Sequence, residues 1–217
     1  MVIDAFIELD HAVFLFINGF SGNIFLDRFM YFSAFILIYS VPLYLLYEWF
    51  NGLTGKKNFM KLFTGIIITF LFIQGLGHIY VREIPNNVYD TGFEISELTS
   101  YVNNPLTIID GSLLVSDDSF PSNHMAVMLG FLIPLLWIKG ISSSTKIFLV
   151  FAFLMGIGRT YVGRHFFLDY FGSLLFAGLG FLHLNILYRF FDEQIESIAK
   201  FFHDKEEKLI RKPFLRG

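Results

Sequence analysis

Long apolar runs separated by short polar stretches set the pattern of this chain. Residues 29–50, 59–80, 121–138, 147–163 and 166–191 are each apolar over about the length that crosses a bilayer as a helix. Each must be helical, because a lone span has to satisfy its backbone hydrogen bonds internally. Pro42 and Pro134 fall inside spans, where neighbouring helices tolerate them. Gly172, Ser173, Ala177 and Gly180 on the fifth span predict close helix–helix packing. Residues 1–20 differ. Ile3, Phe6, Ile7, Val13, Phe14 and Ile17 recur at roughly helical spacing, but Asp4, Glu8 and Asp10 interrupt them. Three acids in one span are costly at the bilayer centre, so the pattern predicts an amphipathic helix lying at the interface, with a first span as the alternative. The segment "NGFSGN" (18–23) reads as a turn.

The fold class that follows is an all-α integral membrane protein. It is a bundle of five transmembrane helices, six if residues 1–20 also cross, with an N-terminal interfacial helix. One membrane-embedded domain covers 1–217, with an interfacial segment at 1–27, an extracytoplasmic loop at 82–120 and a cytoplasmic tail at 192–217.

Composition agrees and adds exclusions. Of the 217 residues, 54% are hydrophobic and 16% charged, less charge than a soluble domain carries. There is no Cys, which excludes disulfides, thiolate metal ligands and Cys nucleophiles. The start "MVIDAFIELD" has no basic n-region and no small-residue cleavage site follows, so no signal peptide is expected. No glycine-rich phosphate loop is present, and no nucleic-acid partner is expected.

Where the charges sit says more than the net charge of −3. The connection 51–61 carries three Lys, the connection 139–146 two more, and the tail after the fifth span is rich in Lys and Arg. By the positive-inside rule these face the cytoplasm. The loop 82–120 holds seven acids and one base, Arg82, and so lies outside. Of 16 Lys and Arg, only Arg28, Arg82, Arg159 and Arg164 fall on the outer side, and they need another explanation. Parity then brings Arg82, "PSNH" (121–124), Arg159 and "RHFFLD" (164–169) to one face of one bundle.

His165 and Asp169 are four apart, so on a helix they share a face. A carboxylate can hold one imidazole nitrogen as N–H and leave the other as a nucleophile or base. The plainer reading is a pair at a water-exposed helix start. His124 falls in the first turn after Pro121 and Ser122, at a helix start that offers backbone N–H groups to an anion. Ser122 and Asn123 can add donors, or Ser122 can simply cap the helix. Arg82 and Arg159 suit phosphate, since a guanidinium binds its oxygens with paired hydrogen bonds, whereas headgroup anchoring fits Arg164 better. No Asp/Glu cluster is available for magnesium. A zinc site on His78, His124 and His165 is disfavoured, because their neighbours are phosphate donors. Metal-free phosphoryl transfer through a histidine fits the set better, with no cofactor.

These residues resemble the type 2 phosphatidic acid phosphatases, a family of lipid and polyprenyl diphosphate phosphatases whose active-site pattern vanadium haloperoxidases share. The family's third motif is Ser-Arg, five residues, His, three residues, Asp. Here "GRTYVGRHFFLD" (158–169) puts Arg159, His165 and Asp169 in register, with Gly158 for the Ser. The second motif, Pro-Ser-Gly-His, is "PSNH", with Asn123 for Gly. The first, Lys, six residues, Arg-Pro, is matched by "REIP" (82–85), with Arg82 at the Arg, Glu83 at the Pro and Gly75 at the Lys. "INGFSGNIFLD" (17–27) is similar to small prokaryotic members, and the likeness runs from about residue 17 to about 180. The resemblance implies that His165 attacks phosphorus, Asp169 orients it, and His124 protonates the leaving oxygen. Arg82, Arg159, Ser122 and the Asn123 N–H would hold the phosphoryl oxygens, and His78 could assist. His183 and Asn185, deep in the fifth span, are expected to be packing contacts.

The expectation is a multi-pass plasma-membrane phosphatase, with its active site facing outside and a membrane lipid as substrate. A polyprenyl diphosphate comes first. A glycerolipid phosphate, such as phosphatidic acid or phosphatidylglycerol phosphate, is the alternative. A lipid-binding bundle that has lost catalysis is the rival class, motivated by Gly75, Glu83, Asn123 and Gly158. A vanadate-dependent oxidant is disfavoured for want of a soluble scaffold.

Overall fold

Asn23 opens the first long apolar helix. Its backbone is extended, and its side-chain oxygen accepts the N–H groups of Phe25 and Leu26 at 3.1 and 3.3 Å, which satisfies a helix start. The computed structural model describes residues 2–76, 82–85 and 119–211. They form α1 (Val2–Asn18), α2 (Ile24–Phe35), a 3₁₀ turn (Leu37–Tyr39), α3 (Ser40–Phe50), α4 (Gly52–Leu76), α5 (Asn123–Lys139), α6 (Ser143–Tyr161) and α7 (Asp169–Arg211). Apart from one bridge residue at Glu83, the described residues contain no strand. Ile24–Phe50, Gly52–Leu76 and Asp169–Leu209 are long and apolar enough to cross a membrane, and α5 is apolar but shorter.

Three departures from the expected spans stand out. The first span breaks at Leu37–Tyr39. Pro42 has no N–H and crowds the carbonyl four residues back, at Ile38, so a 3₁₀ turn separates α2 from α3. The second helix begins at Gly52, well before residue 59, because the "GLTGKKN" stretch is already helical. The expected tail is helical to Arg211, continuing α7 past a non-helical Phe191 (φ −124°, ψ 17°). Residues 77–80 of the second span and 86–118 of the acidic loop lie outside the described residues, as does His78.

α5 is the hub, with buried residues on every face. Its Met125, Met128, Phe131, Leu132 and Leu135 pack with Ile38, Val41 and Leu45, with Leu62 of α4, and with Phe148, Ala152 and Met155 of α6. Inside a bilayer such packing gains no hydrophobic drive over lipid, so close approach of small residues decides it. Thr69 of α4 is fully buried between two glycines. A Cβ on Gly130 of α5 would lie 2.7 Å from Thr69 Oγ1, and one on Gly180 of α7 would lie 2.5 Å from it. Gly65 faces Pro134 in the same way, with a Cβ 2.7 Å from the proline ring. Pro134 leaves the Gly130 carbonyl without its helical N–H, and Gly65 lets α4 come close to that carbonyl.

The ends of the bundle are polar. At one end Glu48 is fully buried, 2.5 Å from Lys139 Nζ, and it accepts Asn58 Nδ2 at 3.0 Å. Lys56 is also buried, donating to the Trp49 carbonyl at 2.9 Å and to Glu206. Lys57 pairs with Glu196 at 2.6 Å. Glu196 and Glu206 are about 15 Å apart along a helix, yet they meet adjacent lysines, so this part of α7 crosses the start of α4. The opposite end carries the residues singled out for chemistry.

Replacing Gly130 or Gly180 by Val should overpack Thr69, costing about 1–3 kcal/mol, read as a lower thermal midpoint in detergent. Gly178→Val is the control, since a Cβ there meets nothing within 4 Å. Equal midpoints for all three variants would sink the close-packing account.

Candidate active site

Asp169 is the first residue of α7 and is fully buried. A carboxylate at a helix N-terminus is favoured by the helix dipole, but burial demands further partners. Oδ2 accepts the Phe166 N–H at 2.8 Å and the Ser119 hydroxyl. Oδ1 accepts Arg82 Nη1 at 3.1 Å. The bond back to Phe166 folds the connection 162–168 against the head of α7, and His165 lies in that connection.

His165 is 5% exposed. Its Nδ1 lies 2.7 Å from the Ser119 carbonyl oxygen and 3.7 Å from Asp169 Oδ2. A carbonyl only accepts, so Nδ1 carries the proton and the neutral ring leaves Nε2 bare. The i,i+4 argument placed both residues on one helix. The helix begins only at Asp169, so the carboxylate reaches the imidazole chiefly through Ser119, whose hydroxyl and carbonyl serve one residue each. Burial first, and the Arg159 charge second, pull the imidazole down to about 4. Tyr170 packs edge-on to the ring with centroids 6.3 Å apart, and its hydroxyl donates to the Gly156 carbonyl at 2.6 Å.

Ser122 occupies the N-cap position of α5, with its carbonyl accepting Ala126 N–H at 2.9 Å. Its buried hydroxyl makes no capping bond, so the plain capping role does not describe it. Asn123 and His124 follow in the first turn, both buried. Ser173, one turn into α7, donates to the Ser122 carbonyl at 2.9 Å and to the Asp169 carbonyl at 3.1 Å, joining the two helix starts. Arg159 lies in the last turn of α6, buried, with Nη1 3.4 Å from the Ala34 carbonyl and the guanidinium 5.2 Å from the Phe35 ring.

Arg82 is held in an unforeseen way. Besides Asp169, it pairs with Asp10 of α1 at 2.7 Å, and its guanidinium lies 3.9 Å from the Phe166 ring. Its carbonyl accepts the Ser119 N–H at 2.6 Å, which ties the two ends of the acidic loop together. The "INGFSGNIFLD" stretch also serves this site. Asn18 Nδ2 donates to the Tyr161 carbonyl at 2.8 Å, and the Tyr161 hydroxyl donates to Asp27 at 2.5 Å.

The structure thus gathers Arg82, Ser122, Asn123, His124, Arg159, His165 and Asp169 at one end of the bundle. Nothing basic stands at Gly75, and the described residues hold no group of three His, Asp or Glu able to take a metal. His183 and Asn185 bond carbonyls of their own helix, at 2.9 and 3.0 Å, away from this end. Sequence reading missed Asp10, Ser119 and Tyr170. Asp10 had a signal, because an acid inside an apolar helix needs a cation, and Arg82 was an outer-side cation in want of a reason.

The model described as PAP2 superfamily matches residues 58–196. A "Putative undecaprenyl-diphosphatase YbjG" of Escherichia coli (strain K12) is 28% identical over 160 residues, which are 73% of this chain and 71% of that protein. The crystal structure of Aquifex aeolicus LpxE superposes with a TM-score of 0.51 at 19% identity, covering 81% of this chain and 94% of that one.

In protein carrying ¹⁵N-histidine, the His165 resonances, assigned by their loss in His165→Asn, should report the Nδ1–H tautomer at neutral pH. They should titrate near pH 4, well below the ordinary 6.5. The unfolded chain takes up this proton first, so the neutral ring's contribution to stability is complete above pH 6.5 and is lost as pH falls towards 4. A midpoint near 6.5 would overturn the burial account.

Proposed function

The chain belongs to the PAP2 superfamily, and from that premise we propose that it hydrolyses a lipid phosphate or diphosphate through a phosphohistidine at His165. One observation carries the proposal: Nδ1 is fixed as a donor to Ser119, so Nε2 is the nitrogen presented for attack. In the first step Nε2 bonds to phosphorus and the phosphorus–oxygen bond to the lipid breaks, with His124 protonating the departing oxygen. In the second, His124 takes a proton from water, which attacks the phosphohistidine and releases phosphate. The Nδ1–H bond to Ser119 supports the positive charge on the ring between the steps. Arg82, Arg159, the Ser122 hydroxyl and the Asn123 amides hold the phosphoryl oxygens and meet the charge developing on them. These are cations and donors, so the reaction asks for no metal.

The substrate is a membrane lipid, first a polyprenyl diphosphate, with a glycerolipid phosphate second. The name of the Escherichia coli relative supports the diphosphate. The length of α5 supports a lipid. Its 17 residues extend about 26 Å, against a hydrocarbon core of about 30 Å. With Lys139 at one interface, the "PSNH" end sits at or just below the other, where a lipid head can reach it. In this reading α2 with α3, then α4, α5, α6 and α7 make five spans. α1 lies at the interface, 82–120 is the outer loop, and the stretch after Phe191 is cytoplasmic. The site faces outside the plasma membrane.

Purified protein with EDTA present should release phosphate from a polyprenyl diphosphate, and less or none from phosphatidic acid and phosphatidylglycerol phosphate. His165→Ala should abolish release and the acid-labile labelling of the protein by substrate phosphate. His124→Ala should slow turnover by about 10²–10⁴. Release that survives His165→Ala would refute the nucleophile. No release from any lipid by folded protein would favour the lipid-binding class.

A further inference from the structure

α1 brings to this site a residue that lies outside the stretch matching the family, residues 58–196. Asp10 is 3% exposed, though it comes from an amphipathic helix. Its Oδ1 accepts the Leu168 N–H at 2.9 Å, and its Oδ2 meets Arg82 Nη2 at 2.7 Å. The other terminal nitrogen of Arg82 is on Asp169, at 3.1 Å. A guanidinium is a rigid planar fork, so a carboxylate hydrogen-bonded to one terminal nitrogen and a second paired by charge with the other hold it from two sides. The face of that plane rests on Phe166 at 3.9 Å, and Phe166 is itself packed by His11 and Phe14 of α1, at 4.9 and 5.4 Å between centroids. One helix turn therefore holds Arg82 from its edge and from behind, and also holds the peptide that leads from His165 to Asp169.

We propose that Asp10 is a positioning residue for phosphoryl transfer: its carboxylate fixes the Arg82 guanidinium and the Leu168 peptide, and through them Asp169 and the His165 connection. The inference rests on the reading of His165 as nucleophile. One guanidinium donor bonds Asp169, the Asp10 charge lies against the other terminal nitrogen, and the two carboxylates together set the direction in which the remaining donors point. Loss of the Asp10 charge would let Arg82 turn wholly towards Asp169 or towards a bound phosphate. Misplacement of a catalytic group by about 1 Å can cost roughly a hundredfold in rate.

The experiment uses the full chain in detergent with three variants. Asp10→Asn keeps the shape and the acceptor for Leu168 but removes the charge. Asp10→Ala removes both, and Asp10→Glu restores the charge. Phosphate release from polyprenyl diphosphate and phosphatidic acid is read beside amide hydrogen exchange over residues 162–170. Asp10→Asn should lower kcat roughly a hundredfold with little change in KM, thermal midpoint or exchange at Leu168. Asp10→Glu should recover part of that loss, and Asp10→Ala should expose the Leu168 amide as well. Full kcat in Asp10→Asn overturns the proposal, as does a loss that merely follows the amount of folded protein. If the wild-type chain hydrolyses neither lipid, the phosphatase reading fails on its own. Unchanged exchange at Leu168 in Asp10→Ala would then overturn the clamp independently.

Discussion

A carboxylate with no access to water, at the head of a helix, governs this end of the molecule. An ionised Asp169 buried without partners would cost several kcal/mol even after relaxation. The chain answers with a guanidinium, a hydroxyl, a backbone N–H and the helix dipole. Each answer fixes something else. The Phe166 N–H sets the path of the connection that carries His165. The Ser119 hydroxyl sets the residue whose carbonyl then holds His165 Nδ1. Arg82, drawn in by one carboxylate, is shared with a second, and α1 is anchored as a result. The imidazole is thus oriented by a chain of dependent contacts, and the carboxylate itself stands 3.7 Å from it.

Between its polar ends the bundle is held by shape alone. Lipid tails compete with side chains for apolar contact, so helices gain most where glycine, threonine and proline let backbones approach. Such contacts resist separation but fix sliding along the helix axis only weakly. The ends supply that registration. Glu48 with Lys139 and Lys56 with Glu206 tie α3, α4, α5 and α7 at one end. Ser173 ties the starts of α5 and α7 at the other. A helix pinned at both ends by buried polar groups delivers its terminal residues to fixed places, which a site assembled from four chain segments requires.

Much of this could be read from the sequence, because the bilayer permits few solutions. Apolar length and the alternation of Lys-rich with acidic connections were enough to send Arg82, His124, Arg159 and His165 to one end. Partner choice was not readable. Spacing of four in sequence implied a helical pair, but "RHFFLD" turns before the helix begins, and periodicity cannot see a helix start that depends on Asp169 bonding back to Phe166. Ser119 looked like loop because its role lies in contacts across 46 and 50 residues. The acids of α1 stood out in the sequence for their cost at a bilayer centre. Only the fold shows that Asp10 turns inward to Arg82 rather than outward to water. The break at Leu37 had a local signal in Pro42, whereas the helical tail meets lysines of α4 that lie 139 and 150 residues away in sequence.

The departures from the family motifs divide on physical grounds. Gly158 stands at the serine of the third motif, and a Cβ there would lie 2.7 Å from the Met30 carbonyl oxygen and 2.8 Å from the Ala34 nitrogen. Those are backbone atoms of α2, so no side-chain rotation relieves the clash. α2 comes this close at the place where the Ala34 carbonyl and the Phe35 ring receive Arg159. The glycine and the seating of Arg159 are therefore parts of one contact, and the missing serine is no argument that catalysis was abandoned. Gly75 is different. A Cβ there meets nothing within 4 Å, so no packing demand explains the absent lysine. Without it the charged groups that the described residues bring together here are two guanidiniums, Arg82 and Arg159, against two carboxylates, Asp10 and Asp169, and Arg82 is divided between both acids. In the proposed reaction the phosphoryl charge then leans harder on Arg159 and on the donors at the start of α5, where Asn123 supplies an amide in place of the family's glycine.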